Sequence, residues 1–324
     1  MQTMKECVLA AYRREPQDFV PCPEQVLRGA ICLGDNYIQQ AGEGYDAWGV
    51  KWHFSGGNPG LNGPTPVPGS ELMEDFDDWQ EHVRFPDVSK LPWDITKSMV
   101  PEDRSEIVVF GLMLSGPFER MHYLAGFENS LCAFYESPDE VHAFLDAMEA
   151  NRIACIDKLY ETVHPDVIQM QDDWGMQTSM LLSPELWREF FKPHEKRFAE
   201  HIHKLGMIYE HHSCGYVMPI VGDLVEIGVD ALSPLNVCND IPQLKKEFGN
   251  SICLIGGLNN QLIDAEGTGE EAIRTEVRRA IDANSYGGAY MPSYIPTNAE
   301  KLEIVKDEII RYGRSIQYNA LYGV

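Results

Sequence analysis

Residues 207–236, MIYEHHSCGYVMPIVGDLVEIGVDALSPLN, decide the fold. An apolar run, Met207–Cys214, is followed by a helical stretch, a glycine stop at Gly228 and a second apolar run, Ala231–Leu235. This is a strand–helix–strand unit, and the flanking chain repeats it. Further strands are expected at Ile107–Leu112, Val167–Asp173, Ile252–Leu258 and Ala289–Met291. Ser137-Pro138 and Ser183-Pro184 each place an N-cap before proline at the first helical position. Gly206 and Gly249 end helices as Gly228 does, and Asn298 caps a last helix running to about Arg311. The regular pattern from residue 106, with one or two more units hidden upstream, predicts an α/β fold: a closed (β/α)8 TIM barrel. The alternative, a doubly wound sheet, lacks the glycine fingerprint expected after its first strand.

Upstream of residue 106 the chain reads differently. A helix is expected over Met4–Arg14, and residues 17–105 are then rich in Pro, Gly, Trp and acidic side chains. Trp48, Trp52, Trp79 and Trp93 fall here with Tyr45 and Phe54. Such a segment is either a lid over a site or a wrapping layer whose aromatics fill satellite cores. The whole of 1–324 reads as one barrel domain with this irregular extension.

Composition narrows the function. The chain has 26 Lys+Arg against 50 Asp+Glu, a formal charge of −24, and 44% hydrophobic residues. It has ample apolar content for a core, and its acid excess disfavours nucleic acid and anionic membrane surfaces as partners. The absence of an apolar run near membrane-spanning length, and of a basic segment with an apolar h-region, leads to a cytoplasmic expectation. Eight cysteines include no C-x-x-C pair, so they read mainly as reduced packing residues. The oligomeric state is open, a homodimer included.

Two strand ends carry candidate chemistry. In Tyr209-Glu210-His211-His212-Ser213-Cys214-Gly215, strand alternation puts Glu210, His212 and Cys214 on one face. Carboxylate, imidazole and thiolate are the ligand classes of zinc, and three protein ligands leave a coordination position for substrate. The alternative is a buried His and Cys bonded to neighbouring loops; His211 points to the other face as a structural or supporting residue. In Val167-Ile168-Gln169-Met170-Gln171-Asp172-Asp173-Trp174-Gly175, Gln169, Gln171 and Asp173 share a face and Asp172 takes the opposite one. Asp173 is the favoured catalytic carboxylate there, while an internally satisfied polar layer is the other reading. Asn236, Ser293 and Tyr294 end further strands at the same rim, and Gly256-Gly257-Leu258-Asn259-Asn260-Gln261 either offers amides to a ligand or forms a tight turn.

These residues together resemble the uroporphyrinogen decarboxylase superfamily, over nearly the whole chain. The resemblance rests on Met4–Ala11 with Arg13-Arg14-Glu15-Pro16, Gly116-Pro117-Phe118-Glu119-Arg120 with Gly126-Phe127-Glu128-Asn129, Asp172-Asp173-Trp174-Gly175, His212-Ser213-Cys214-Gly215, Glu226–Pro234 and Gly256-Gly257. It implies a (β/α)8 barrel and one of two chemistries. Uroporphyrinogen decarboxylase uses no metal and binds an octacarboxylate in an arginine-bearing pocket. The corrinoid-dependent methyltransferases hold zinc through H-x-C plus a later cysteine, and move methyl groups between small substrates and the cobalt of a corrinoid protein.

His212 and Cys214 match the H-x-C pair. A chain at −24 with only Arg13, Arg14, Arg28 and Arg84 in its first hundred residues is a poor trap for a polyanion. No cysteine stands near Met291–Tyr294, where the later zinc ligand belongs, which resembles the O-demethylase branch and leaves Glu210 as the expected third ligand. The expectation is therefore a zinc-dependent methyltransferase moving a methyl group from a small methylated substrate, such as an aryl methyl ether, to a corrinoid protein. Glu210, His212 and Cys214 would hold Zn2+, Asp173 and Glu210 would be catalytic, and Gln171, Asp172, Trp174, Asn236 and Tyr294 would bind substrate. A metal-independent polycarboxylate decarboxylase and a non-catalytic corrinoid-binding barrel are the alternatives.

Overall fold

A computed structural model describes residues 1–35, 42–56, 63–249, 251–295 and 298–316. Its strands, in chain order, are β1 (Leu27–Ile31), β2 (Gly42–Tyr45), β3 (Lys51–Phe54), β4 (Thr65–Pro66), β5 (Val108–Met113), β6 (Val167–Gln171), β7 (Ile208–His212), β8 (Ala231–Leu235), β9 (Cys253–Gly256) and β10 (Tyr290–Met291). β1 and β5 to β10 form one parallel sheet in the order β1-β5-β6-β7-β8-β9-β10, and β2 to β4 form a small antiparallel sheet. Helices link the parallel strands, so the sheet is buried on both faces, as parallel sheets generally are.

The two faces have separate cores. Val108, Phe110, Val167, Ile208, Ala231, Cys253 and Ile255 point inward and pack with Met4, Cys7, Val8, Ala11 and Tyr12 of the first helix, Met4–Arg13. That helix closes the end of the sheet at which the strands begin: Arg14, its C-cap, pairs with Asp230, the residue before β8, at 2.9 Å. The alternate residues Val109, Ile168, Met170, Tyr209, Leu232 and Leu254 face outward into the layer of surrounding helices. Each fully buried aliphatic side chain of this kind contributes about 1.5–3 kcal/mol.

Seven parallel strands are present among the described residues, where the sequence suggests a closed ring of eight. β10 is two residues long because Gly287 and Gly288, both at positive φ, precede it and Pro292, which has no N–H to give a ladder, follows it. The six expected strands appear; three of them, β6, β7 and β9, end two residues early, where the chain turns into loops. The hidden upstream strand is β1. Two of the expected side-chain caps are in place: Ser183 Oγ accepts from Leu186 N, and Asn298 accepts from Glu300 N and Lys301 N; Ser137 precedes its helix but makes no side-chain cap bond, because its hydroxyl donates to Asp77 instead. Among the described residues no helix is long and apolar enough to cross a membrane.

Trp48, Trp52, Trp79 and Trp93 lie in the outer core, against the helices Pro117–Ala125 and Pro138–Val163. The wrapping layer is anchored by a buried ion pair. Asp46 Oδ2 accepts from Arg120 Nη1 at 2.7 Å and from Trp52 Nε1 at 3.0 Å, while Oδ1 accepts from the Trp48 and Val50 amides at 2.9 Å. The Arg120 guanidinium lies 4.8 Å from the centre of the Trp48 ring. Removing one partner of such a pair strands a buried charge. Asp46→Ala is expected to lower the unfolding free energy by roughly 3–5 kcal/mol in urea titrations; a loss below about 1 kcal/mol would show that the anchor is dispensable.

Candidate metal centre

The site lies where β6 and β7 end. Gln171 pairs with His212 across the two strands, and each chain then turns into a loop carrying Asp173 and Cys214 respectively. Cys214 Sγ is 3.6 Å from His212 Nε2, and Asp173 Oδ1 is 3.9 Å from the same nitrogen. Asp173 Oδ1 also accepts from the Cys214 amide at 2.7 Å. One ligand atom from each of Asp173, His212 and Cys214 lies within 4.8 Å of the other two. All three residues are half-buried.

Two glycines permit this approach. A Cβ on Gly175 would lie 2.5 Å from Tyr216 N and 2.6 Å from Cys214 O, and one on Gly215, whose φ is +80°, would lie 2.3 Å from Gly175 C. The loops are therefore in backbone contact, stitched by Tyr216 N to Met176 O at 2.7 Å and Trp174 N to Ser213 Oγ at 2.8 Å.

The donor set fits a borderline cation such as Zn2+: one imidazole nitrogen, one sulfur and one carboxylate oxygen, with room for another ligand. Burial, opposed by Asp173, pushes the His212 imidazole down to about 4, so it is held in the neutral, ligating form. Burial and then Asp173 raise the Cys214 thiol far above its usual range. A bound dication reverses that balance, because it deprotonates a coordinating thiol outright.

Glu210, the third ligand expected from strand alternation, is placed elsewhere. It shares the inward face with His212 but lies two residues earlier on the strand, inside the barrel-like interior. Its carboxylate accepts from Tyr12 Oη and Gln169 Nε2 at 2.6 Å each and from Ser233 Oγ at 2.5 Å. Alternation fixes which face a side chain takes; it does not show that a tyrosine from residue 12 has claimed the carboxylate. Burial raises the Glu210 carboxyl, against the pull of those three donors.

Three other expected substrate contacts also turn out to be internal. Asp172 is fully buried and caps the helix Pro117–Ala125: Oδ2 accepts from Phe118 N and Oδ1 from Glu119 N, at 3.0 and 2.7 Å. It accepts a third bond from Trp174 Nε1 at 3.0 Å, and burial pushes its carboxyl up to about 7. Trp174 is buried too, stacked on His211 with ring centres 3.8 Å apart. Tyr294 donates to Asp264, away from the metal centre, and Ser293 donates to Glu24 at 2.6 Å. Asn236 stays at the rim, its Oδ1 accepting from Gly215 N at 2.8 Å, and Gln171 is half-buried at the end of β6.

Glu119 is a site residue that sequence reasoning passed over. It is buried, Oε1 accepts from Tyr123 Oη at 3.1 Å, and Oε2 has no hydrogen-bond partner among the described residues. Burial, followed by Asp173 and Asp172, raises its carboxyl well above the usual range. Its signal was its position in the first turn of a helix that starts directly beyond a strand end. A second acidic group with a histidine, Asp146, Glu149 and His194, is an ion-pair cluster: Arg197 Nε lies 2.5 Å from Glu149 Oε2.

The family profile of uroporphyrinogen decarboxylase (URO-D) matches residues 46–295, and the chain belongs to that family. Among curated relatives it is 24% identical over 235 residues to the methylated-thiol–coenzyme M methyltransferase of Methanosarcina mazei, covering 65% of this chain. It is 25% identical over 147 residues, 44% of the chain, to the methylcobamide:CoM methyltransferase MtaA of Methanosarcina barkeri. The chain spans 61% and 42% of the length of those two relatives. A solved structure of a methyltransferase from Methanosarcina mazei has the same fold, with a TM-score of 0.66 over 97% of this chain and 99% of that one at 19% identity.

Two substitutions test the construction of this site. In Asp172→Asn the amide must turn N–H toward at least one of the three N–H donors, and unfolding should cost about 1–3 kcal/mol less in urea. Gly175→Ala, whose methyl would meet backbone, should lower zinc affinity more than tenfold in chelator competition; unchanged affinity would refute the loop contact's role.

Proposed function

We propose that this chain is a zinc-dependent methyltransferase that passes a methyl group from a small methylated substrate to the cobalt of a corrinoid carried by a partner protein. Asp173, His212 and Cys214 are the ligands, and their convergence at the C-terminal ends of parallel strands in a URO-D-family chain is the observation that carries the reading. Both curated relatives are named methyltransferases, and the name of one specifies a methylcobamide. Zn2+ bound there supplies a Lewis acid for the heteroatom that the methyl group leaves.

The chain's own residues do the rest. Neutral His212 offers its lone pair without a proton to displace, and Cys214 becomes a ligand by giving up its thiol proton. Asp173 accepts the Cys214 amide and so holds the two loops in register for binding. Gln171, whose side chain makes no hydrogen bond among the described residues, is free to orient the substrate. Glu119, with an unpartnered carboxyl oxygen beside Asp173, contributes a proton-bearing group at the same rim. Glu210 is a support: it holds β6, β7 and β8 together from inside, through Gln169 and Ser233.

An aryl methyl ether is the donor best suited to this ligand set. A carboxylate in place of a second thiolate leaves the ion harder, and a harder ion favours an ether oxygen over a thioether sulfur. The polycarboxylate decarboxylase reading has no support at this rim, since Asp173 and Glu119 are carboxylates and Arg120 is committed to Asp46.

Purified protein is expected to hold about one zinc per chain. Asp173→Ala, His212→Ala and Cys214→Ser should each lose it, while Glu210→Gln keeps it. Zinc-free protein with full methyl transfer, or activity that survives His212→Ala, would overturn the proposal.

A further inference from the structure

Beside the metal centre is a cavity of about 260 Å³ that begins at Gly215, the residue after Cys214, and runs under the loops beyond β8 and β9. Five of its nine lining residues are carboxamides: Gln177, Asn236, Asn259, Asn260 and Gln261. None of the nine is an acid, a lysine, an arginine or a histidine, in a chain of net charge −24. An anionic ligand would meet no countercharge here, and a cation no carboxylate.

The amides are arranged for use. Asn236 Oδ1 is occupied by Gly215 N at 2.8 Å and Asn259 Oδ1 by Leu262 N at 3.1 Å, which fixes both side chains and leaves their NH2 groups as oriented donors. The side chains of Gln177, Asn260 and Gln261 make no hydrogen bond among the described residues, so each offers both a donor and an acceptor. Large apolar side chains flank them in sequence: Met176 is 50% exposed, Val237 48% and Leu262 40%. Apolar surface around a neutral hydrogen-bonding floor describes an interaction site for a large, amide-bearing and partly apolar molecule.

We infer that this carboxamide-lined cavity receives the amide side arms of the corrin ring, and so holds the macrocycle over the Asp173, His212 and Cys214 group. The inference rests on the corrinoid reading above and names the surface that recognises the cofactor. A corrin carries acetamide and propionamide arms around an apolar macrocycle. A primary amide pairs with another primary amide through two N–H···O bonds, so each arm can close a ring with one of the free side chains. The cavity accommodates one or two arms and is too small for the ring, which would lie outside it, against the exposed Val237 at its edge.

The test uses the full zinc-loaded chain and two free corrins, both kept below the ester's solubility limit. Cobinamide keeps the amide arms; heptamethyl cobyrinate has methyl esters in their place, which accept hydrogen bonds and donate none. In equilibrium dialysis followed by corrin absorbance, cobinamide should bind at least about tenfold more tightly than the ester, the effect of one or two hydrogen bonds. The variant Gln177→Ala/Asn260→Ala/Gln261→Ala should lose that preference while keeping its zinc content and Tm. The single change Gln261→Glu, which keeps the shape and removes donors, should lose part of it. Equal binding of the two probes, no cobinamide binding by the wild type, or a preference that survives the triple variant would overturn the inference, as would a carrier protein binding through this face with no contribution from its corrin. Zinc content is read in the same samples, so the two readings separate. Zinc-free protein that still prefers cobinamide counts against the metal centre alone, and zinc-bearing protein without the preference counts against the cavity alone.

Discussion

The contact between Gly175 and Gly215 is the constraint on which the site depends. Asp173 and Cys214 are on loops after different strands, each two residues beyond the paired Gln171 and His212, so the register starts them as neighbours and the loops must keep them so. They converge because two glycine backbones touch where a Cβ would be about 2.3–2.6 Å from main-chain atoms. Gly116 repeats the device one strand earlier, where a Cβ would meet Asp172 Cβ at 2.2 Å, so the Asp172 carboxylate can reach the first helical amides beyond β5. Close packing of successive loops thus turns three adjacent strand ends into one rigid shelf.

Buried polar networks support that shelf from both sides of the sheet. Outside, Tyr209 donates to Glu195 at 2.5 Å, His211 Nδ1 lies 3.1 Å from the same carboxylate oxygen, and the imidazole stacks on Trp174, whose indole is fixed by Asp172. Inside, Tyr12, Gln169 and Ser233 converge on Glu210. His212 lies between these two networks. Side chains locked by their neighbours hold a ligand geometry more closely than surface loops do, and the Asp173 side chain is more exposed than that of His212.

Much of this was legible in the residues. Apolar runs, serines followed by proline and glycine stops located every strand of the regular region and the helices between them, because the local physics of alternation is not overridden in a buried parallel sheet. β1 was hidden: its run Leu27-Arg28-Gly29-Ala30-Ile31 contains an arginine and a glycine, both exposed, and only Ala30 is fully buried. The inward set Gln169, Gln171, Glu210 and His212 was correctly sorted by face. The sequence did not show depth along the strand, nor long-range partners such as Tyr12 for Glu210, 198 residues away. Asp172 and Trp174 looked like site residues for the same reason: a polar or aromatic side chain at a strand end reads alike whether it meets a ligand or caps a neighbouring helix. The carboxamides after Gly256-Gly257 were visible, and only the fold shows that Gln177 and Asn236 join them.

The proposed metal centre has a mixed ligand set of one sulfur with nitrogen and oxygen, supplied by Cys214, His212 and Asp173. Zinc K-edge X-ray absorption on the isolated, zinc-loaded protein measures that set directly. A single sulfur scatterer is expected at about 2.3 Å, with the remaining ligands nitrogen or oxygen near 2.0–2.2 Å. Two or more sulfur scatterers, or a shell containing none, would contradict it.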